Sequence, residues 1–322
     1  MTLDTREQAA PAESAPPRPT PRSVPLGRRM RREWQMYLFI LPGLLFILLF
    51  AYVPLAGNIV AFQDFSAFRG IGGSAFVGLE NFKALLTDSQ LINALVNTLI
   101  ISTLQIAFAF PAPIILALFL NSLLSERIKR VIQTIVYLPH FISWVVVISI
   151  WQKIFGGTGV IAELFNMVGV QGVNIMTNPE TFKFLVVAQV VWKDVGWGTI
   201  IFFAAISAIP TELYESAAVD GAGSWRRMWH VTLPGMVPVI SLLLILTVGN
   251  VLTVGFEQML IQQPAVGANA AEVLDTFVYF RGIAGGDWGV AAAAGLLKGL
   301  IATFLVIAAN KIAKRLGTGG LF

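Results

Sequence analysis

Three ionisable side chains interrupt long apolar runs of the chain: Lys193, Asp194 and Lys298. An uncompensated charge at mid-bilayer costs roughly 2.5–3.5 kcal/mol on insertion scales, so such groups must face a protein interior or water. Two chemistries are open to them. They could neutralise one another as packing elements, or they could line a path for a hydrophilic solute. Around the first pair the sequence reads Trp192-Lys193-Asp194-Val195-Gly196-Trp197-Gly198. An indole face can stack on a sugar ring while polar neighbours bond its hydroxyls, although tryptophan also anchors helices at membrane interfaces. His140 follows Pro139 and reads as a packed helix residue.

A second polar cluster is of another kind. Residues 211–234 read Thr-Glu-Leu-Tyr-Glu-Ser-Ala-Ala-Val-Asp-Gly-Ala-Gly-Ser-Trp-Arg-Arg-Met-Trp-His-Val-Thr-Leu-Pro, a charged island between two apolar segments. A helical stretch from Glu212 to Val219 meets the stop signal Asp220-Gly221, and a second from Ser224 to Val231 ends at Leu233-Pro234. Two short helices joined at a glycine can dock into a groove of another protein. Glu212, Glu215, Asp220, Arg226 and Arg227 suit the rim of such a groove, and Leu213, Tyr214, Met228 and Trp229 its pocket.

No catalytic constellation accompanies these clusters. There is no Gly-Lys dipeptide, hence no phosphate-binding loop of the Walker A type, and no His-Glu-x-x-His or Gly-x-Ser-x-Gly. Cysteine is absent, and the two histidines, His140 and His230, lie far apart, so no metal site is expected.

The elements that position these residues are membrane spans. Of the 322 residues 56% are hydrophobic and 12% charged, with mean hydropathy +0.74; soluble domains carry about 25% charged residues. Six apolar runs, near 36–59, 91–120, 130–152, 183–207, 235–256 and 288–312, each meet the ~20-residue requirement for crossing the hydrocarbon core. The expected class is an all-α polytopic membrane protein. With the N-terminus inside, one set of loops holds 15 of the 22 Lys/Arg: Arg6, Arg18, Arg22, Arg28, Arg29, Arg31, Arg32, Arg127, Lys129, Arg130, Arg226, Arg227, Lys311, Lys314 and Arg315. The other holds Arg69, Lys83, Lys153, Lys183 and Arg281. That bias predicts cytoplasmic N- and C-termini and a cytoplasmic 208–235 loop, so the net charge of +4 is a topology signal and not a nucleic-acid footprint.

Residues 1–33, rich in Pro and Arg, are expected to be a disordered cytoplasmic tail, and 34–322 a single six-helix domain. The outer loops near 60–90, 153–182 and 257–287 are too short for a further domain and are expected to act as lids or docking surfaces. Pro42, Pro54, Pro111, Pro113 and Pro139 should kink the first three spans, as packing devices or as marks of a mobile pathway helix. Ala291, Gly295 and Gly299 form a stripe that lets another helix approach the last span.

The 208–235 island resembles the EAA loop of permease subunits of binding-protein-dependent ABC importers. The family pattern is Glu-Ala-Ala, a glycine a few residues on, then Ile-x-Leu-Pro. Here Glu215-Ser216-Ala217-Ala218-Val219-Asp220-Gly221-Ala222 is followed by Val231-Thr232-Leu233-Pro234, with Ser216 and Val231 as small departures. Tyr137 to Val146, closing at Trp151, resembles the third helix of carbohydrate-uptake permeases of the MalF/UgpA-like branch. Trp192 to Trp197 and Asp275 to Gly282 resemble its LplB-type subgroup, which includes oligo- and polysaccharide permeases such as those for alginate. The resemblance covers nearly everything after about residue 33.

It implies a type I ABC importer permease fold and inward transport of an oligosaccharide or polysaccharide by alternating access, in the bacterial inner membrane. The implied partners are a second permease, two cytoplasmic ATPases that bind ATP and Mg, and an external solute-binding protein, with no cofactor in this chain. The implied coupling residues are Glu212, Glu215, Ala217, Asp220, Gly221, Leu233 and Pro234. Trp192, Lys193, Asp194, Trp197 and Lys298 are the expected substrate pathway. The competing reading is an ion-coupled secondary transporter or channel that uses Lys193, Asp194 and Lys298 as a relay; such transporters often carry internal repeats, and none is visible.

Overall fold

A computed structural model describes residues 33–123, 125–315 and 317. The expected tail, 1–33, lies outside them except for Glu33. Six helical stretches among the described residues are long and apolar enough to cross a membrane: Trp34–Phe62, Ser89–Ser122, Trp144–Met167, Phe182–Ser207, Ser224–Gly249 and Trp288–Arg315. The described chain falls into two units, one ending at Ala56 and one starting at Gly57.

The first unit is helical throughout: α1 (Trp34–Ile47), a π turn over Leu48–Tyr52, and α2 (Val53–Ala56). The second opens with a hairpin of β1 (Gln63–Asp64) and β2 (Ala75–Phe76) around α3 (Gly70–Gly73), with Gln63 opposite Phe76. Then follow α4 (Glu80–Thr87), α5 (Ser89–Leu104), a π turn over Gln105–Ala109, and α6 (Pro111–Ser122). Asp88 caps α5 by accepting from the backbone N–H of Gln90 at 2.8 Å. Next come α7 (Glu126–Tyr137), α8 (Trp144–Phe155), α9 (Val160–Met167) and α10 (Phe182–Ser207). The chain closes with α11 (Thr211–Val219), α12 (Ser224–Arg227), α13 (Leu233–Gly249), α14 (Phe256–Val266), α15 (Ala268–Ala271), α16 (Leu274–Val278) and α17 (Trp288–Arg315).

Prolines widen these helices more often than they break them. Val53, Phe110 and Leu233 each precede a proline, and each donates its N–H to the carbonyl five residues back. Proline has no N–H and its ring clashes with the carbonyl four back, so one extra residue in the turn relieves both. For this reason Leu233-Pro234 does not stop a helix, contrary to the sequence expectation. The segment from Ser224 runs through the π turn Met228–Thr232 straight into α13, which ends at Gly249 and not near 256.

The third expected span, 130–152, is a broken helix. α7 runs antiparallel to the second half of α10: Val136 lies at Gly196, and the Lys129 ammonium sits 5.3 Å from the ring centre of Phe203. A 3-10 turn over Leu138–Phe141 interrupts it, and α8 continues from Trp144 with the Ser143 hydroxyl accepting from Val146 N–H.

Residues 257–287, expected to be an outer loop, contribute short helices to the core. Met259, Ala271 and Val273 pack with Phe182, Val186 and Ile101, while Leu274 and Phe277 pack with Ala94 and Ala293. Three buried amides tie α14 to α10: Gln189 Oε1 accepts from Gln258 Nε2 at 2.7 Å and from Gln262 Nε2 at 3.0 Å. In lipid, packing and such polar links hold helices together, since burial from water does not. The small-residue stripe is only partly used within the chain. A methyl on Gly282 would lie 2.6 Å from Ala291, but among the described residues a methyl on Gly295 or Gly299 would meet nothing within 4 Å outside its own helix turn.

The tightest backbone approach is at Gly196, where an added methyl would sit 2.0 Å from the Val136 carbonyl oxygen. Gly196→Ala is expected to cost about 3 kcal/mol or more, the upper range for overpacking, read as a lower unfolding temperature of the detergent-solubilised protein. Gly43→Ala, with nothing within 4 Å of the new methyl, is the control and should leave it unchanged.

Candidate functional site

Helical spacing divides the Trp192–Gly198 motif over the faces of α10. One stripe, Phe182, Leu185, Val186, Gln189, Lys193 and Gly196, is buried. The stripe Val190, Asp194, Trp197 and Ile201 lines an open cleft of about 430 Å³. Positions 193 and 194 are adjacent in sequence but about 100° apart around the helix.

Lys193 closes the break in the third span. Its ammonium donates to the carbonyls of His140 at 2.6 Å, Ile142 at 2.8 Å and Pro139 at 3.4 Å, and lies 5.7 Å from the Trp144 ring centre. An interrupted helix leaves carbonyls without N–H partners and gathers partial negative charge at its end. Three donors meet three acceptors, so a side chain only 8% exposed is satisfied. Lys193 therefore presents no charge to the cleft, and its expected role as pathway lining is corrected: it holds the backbone.

Asp194 and Trp197 do line the cleft. His140 Nδ1 lies 2.8 Å from Asp194 Oδ1; an ionised Asp194 can only accept, which places the ring proton on Nδ1. The imidazole stacks on Trp197 with centroids 4.5 Å apart and planes 4° from parallel, and Phe141 meets the same indole edge-on. The interruption that Lys193 closes thus also delivers a histidine to the polar wall. Ser102, Gln105, Thr247, Asn250 and Thr253 complete that wall, with Gln105 in the π turn before Pro111 and Asn250 at the end of α13.

Two expected pathway residues lie elsewhere. Trp192 turns toward Trp151, with centroids 6.4 Å apart, and Lys298 pairs with Asp275. The three membrane-depth charges accordingly neither neutralise one another nor form a relay. Each has its own partner: carbonyls, a histidine or an aspartate.

At the far end of α10 the 208–235 loop forms a compact projection. α11 ends in a Schellman motif: Ala222 N–H donates to Ala217 O at 2.9 Å and Gly221 N–H to Ala218 O at 3.0 Å. This requires a left-handed residue, and Gly221 has φ +74°. Tyr214 donates its hydroxyl to Thr232 Oγ1 at 3.1 Å, and Gly235 allows Ile209 in so closely that an added methyl would be 2.6 Å from Ile209 Cδ1. α11 is thereby fixed to the start of the fifth span. Glu212, Leu213, Glu215, Ser216 and Val219 remain exposed, as do Trp225 and Trp229, which pack edge to face. Ala217 is half-buried, and Pro234 follows the π turn.

A sequence model of the family described as "Binding-protein-dependent transport system inner membrane component" matches residues 109–318, which contain this loop and both walls of the break. The chain belongs to that family. The polygalacturonan/rhamnogalacturonan transport system permease protein YteP of Bacillus subtilis (strain 168) is 40% identical over 321 residues, 99% of this chain and 100% of that protein. Protein LplB of the same organism is 41% identical over 294 residues, 91% of this chain and 92% of that one. A crystal structure of a bacterial alginate ABC transporter, in complex with an alginate pentasaccharide-bound periplasmic protein, has a chain that superposes with a TM-score of 0.84. That match is at 35% identity over 92% of this chain and 99% of the other. The chain is a multi-pass transport permease with the type I ABC importer permease fold.

Within this permease the sequence missed His140 as a partner of Asp194, together with the amide and hydroxyl groups of the cleft. The available signal was a histidine directly after a helix-interrupting proline, and uncharged polar residues inside apolar runs.

Lys193→Ala and Asp194→Asn should separate the two halves of the motif. Lys193→Ala leaves buried carbonyls unpaired, at about 1–3 kcal/mol each, and is expected to lower folded yield and unfolding temperature sharply. Asp194→Asn keeps a polar group at the cleft and should fold normally while lowering uptake. Equal thermal stability of the Lys193 variant and the parent protein would contradict the assignment.

Proposed function

We propose that this permease moves an oligosaccharide or polysaccharide fragment inward across the bacterial inner membrane by alternating access, coupled through residues 208–235 to cytoplasmic ATPases. The observation that carries the proposal is the single α10 helix: its middle lines the cleft through Asp194 and Trp197, and its end leads through Ile209 into the exposed coupling helix α11.

The cleft chemistry suits a sugar. It offers the Trp197 indole with Phe110 and Phe202, one paired carboxylate, and amides and hydroxyls on an otherwise apolar wall. Relatives named for polygalacturonan/rhamnogalacturonan transport and alginate import support a saccharide as cargo. The Lys/Arg bias supports cytoplasmic termini and a cytoplasmic α11. Glu212 and Glu215 sit one turn apart on the exposed side of α11, where they can meet the rim of an ATPase groove while Val219 enters it. The C-terminal Schellman turn sets the angle between α11 and α12, which gives Asp220 and Gly221 a shaping role. ATP and Mg bind the ATPase partners. A second permease supplies the opposite wall of the path, and an external solute-binding protein delivers the saccharide. Their binding free energy biases a two-state bundle.

Glu215→Arg reverses charge on an exposed position and should leave membrane insertion and unfolding temperature unchanged while abolishing ATP-dependent uptake. Normal uptake by this variant would overturn the coupling assignment. Gently solubilised, tagged protein should also recover a P-loop ATPase and a second six-span permease; reproducible recovery of a folded chain alone would favour an ATP-independent transporter.

A further inference from the structure

At the end of the second unit opposite the coupling loop, where α5 and α17 begin, lies a separate cavity of about 390 Å³ lined by Gln90, Glu272, Phe277, Phe280, Arg281 and Asp287 among others. Glu272 is 7% exposed, and no hydrogen bond to its carboxyl group is found among the described residues. Only its backbone is engaged: its N–H donates to Ala268 O at 2.8 Å, and its carbonyl accepts from Asn97 Nδ2 at 3.0 Å. The charged groups around it are Asp88, Arg281 and Asp287. Arg281 spans the other two, 3.6 Å from Asp88 Oδ2 and 3.4 Å from Asp287 Oδ2, longer than close charge-assisted hydrogen bonds. Lys298, nearby in the fold, is already engaged with Asp275. Two carboxylates therefore share one loosely held guanidinium, and a third, that of the buried Glu272, has no donor.

We infer that this cavity is a binding site for a guanidinium or ammonium group, filled in the working transporter by an arginine or lysine side chain of the protein that docks on this end. The docking partner rests on the importer reading above; the pocket itself does not. Asp88 and Asp287 are committed to capping backbone N–H groups of α5 and α17, which leaves the Glu272 carboxylate free to take an incoming cation. Phe280, an exposed aromatic in the cavity lining, can meet a planar guanidinium. Burial, and after it the Asp88 charge, raise the Glu272 carboxyl above its ordinary range. Its contribution to stability is therefore fully present below the ordinary carboxylate range and is lost as pH rises through the raised value. A bound cation offsets that loss, so protons and the cation compete for Glu272.

The test is thermal unfolding of the purified intact transporter with N-acetyl-arginine amide, against the neutral isostere N-acetyl-citrulline amide at equal ionic strength. The arginine probe should raise the unfolding temperature saturably at pH 8 and less at pH 5, and the citrulline probe should not. Glu272→Gln should weaken the response about tenfold, the equivalent of 1.4 kcal/mol for a lost charge pair. Should Glu272→Gln fail to fold, Asp287→Asn is expected to weaken it in the same direction. No saturable shift, an equal shift with the citrulline probe, or an undiminished response in both variants would overturn the site. Loss of the ATPase and second permease from the preparation would count against the importer reading and leave this result standing.

Discussion

A backbone carbonyl at membrane depth has no water to turn to, and the structure is organised around that constraint. The third span breaks at Leu138–Phe141, and the break exposes carbonyls in the middle of the bundle. Lys193 fills them. The usual cost of a buried ammonium is removed by the acceptors, and the cost of the acceptors by the ammonium. Gly196 follows from the same requirement, because only a residue without a Cβ lets the two backbones approach closely enough for Lys193 to reach. The interruption in turn places His140 against Asp194 and Trp197 at the cleft.

α10 joins three levels of the molecule. Near its start Gln189 bonds the buried amides of α14; at its middle Lys193 and Asp194 hold the break and the cleft wall; beyond its end Ile209 and Tyr214 seat α11. A push on α11 has a short path through packed side chains to the cleft. Under the proposed function, two discrete arrangements of such a column, each favoured by a different state of the partner ATPases, are what alternating access needs.

The turn of the 208–235 loop was legible because its chemistry is local. Asp220-Gly221 predicts a left-handed helix end, and the Schellman bonds of Gly221 and Ala222 are that turn. The spans were legible from length and apolarity, with errors where proline was read as a stop. Pro234 sits after a π turn, and the helix passes through it. What sequence could not supply was direction around the helix axis for a motif shorter than two turns. Lys193 and Asp194 looked like one polar unit and face different surroundings. The 257–287 segment, expected as an outer loop between two apolar runs, has short helices that bury Met259, Val273 and Phe277 among four spans. Burial of that kind is set by neighbours distant in sequence, which periodicity within a segment does not report.

The chain contains no cysteine, so one introduced thiol is unique. Val219, 89% exposed at the tip of α11, is the position to use. Val219→Cys carrying a short photo-crosslinker, activated in native membranes and followed by mass spectrometry of the adduct, tests directly whether α11 enters an ATPase. A covalent adduct with a P-loop ATPase subunit, its yield changing with ATP, is the predicted result. Efficient labelling of the introduced thiol with no ATPase adduct, with or without nucleotide, would contradict the account.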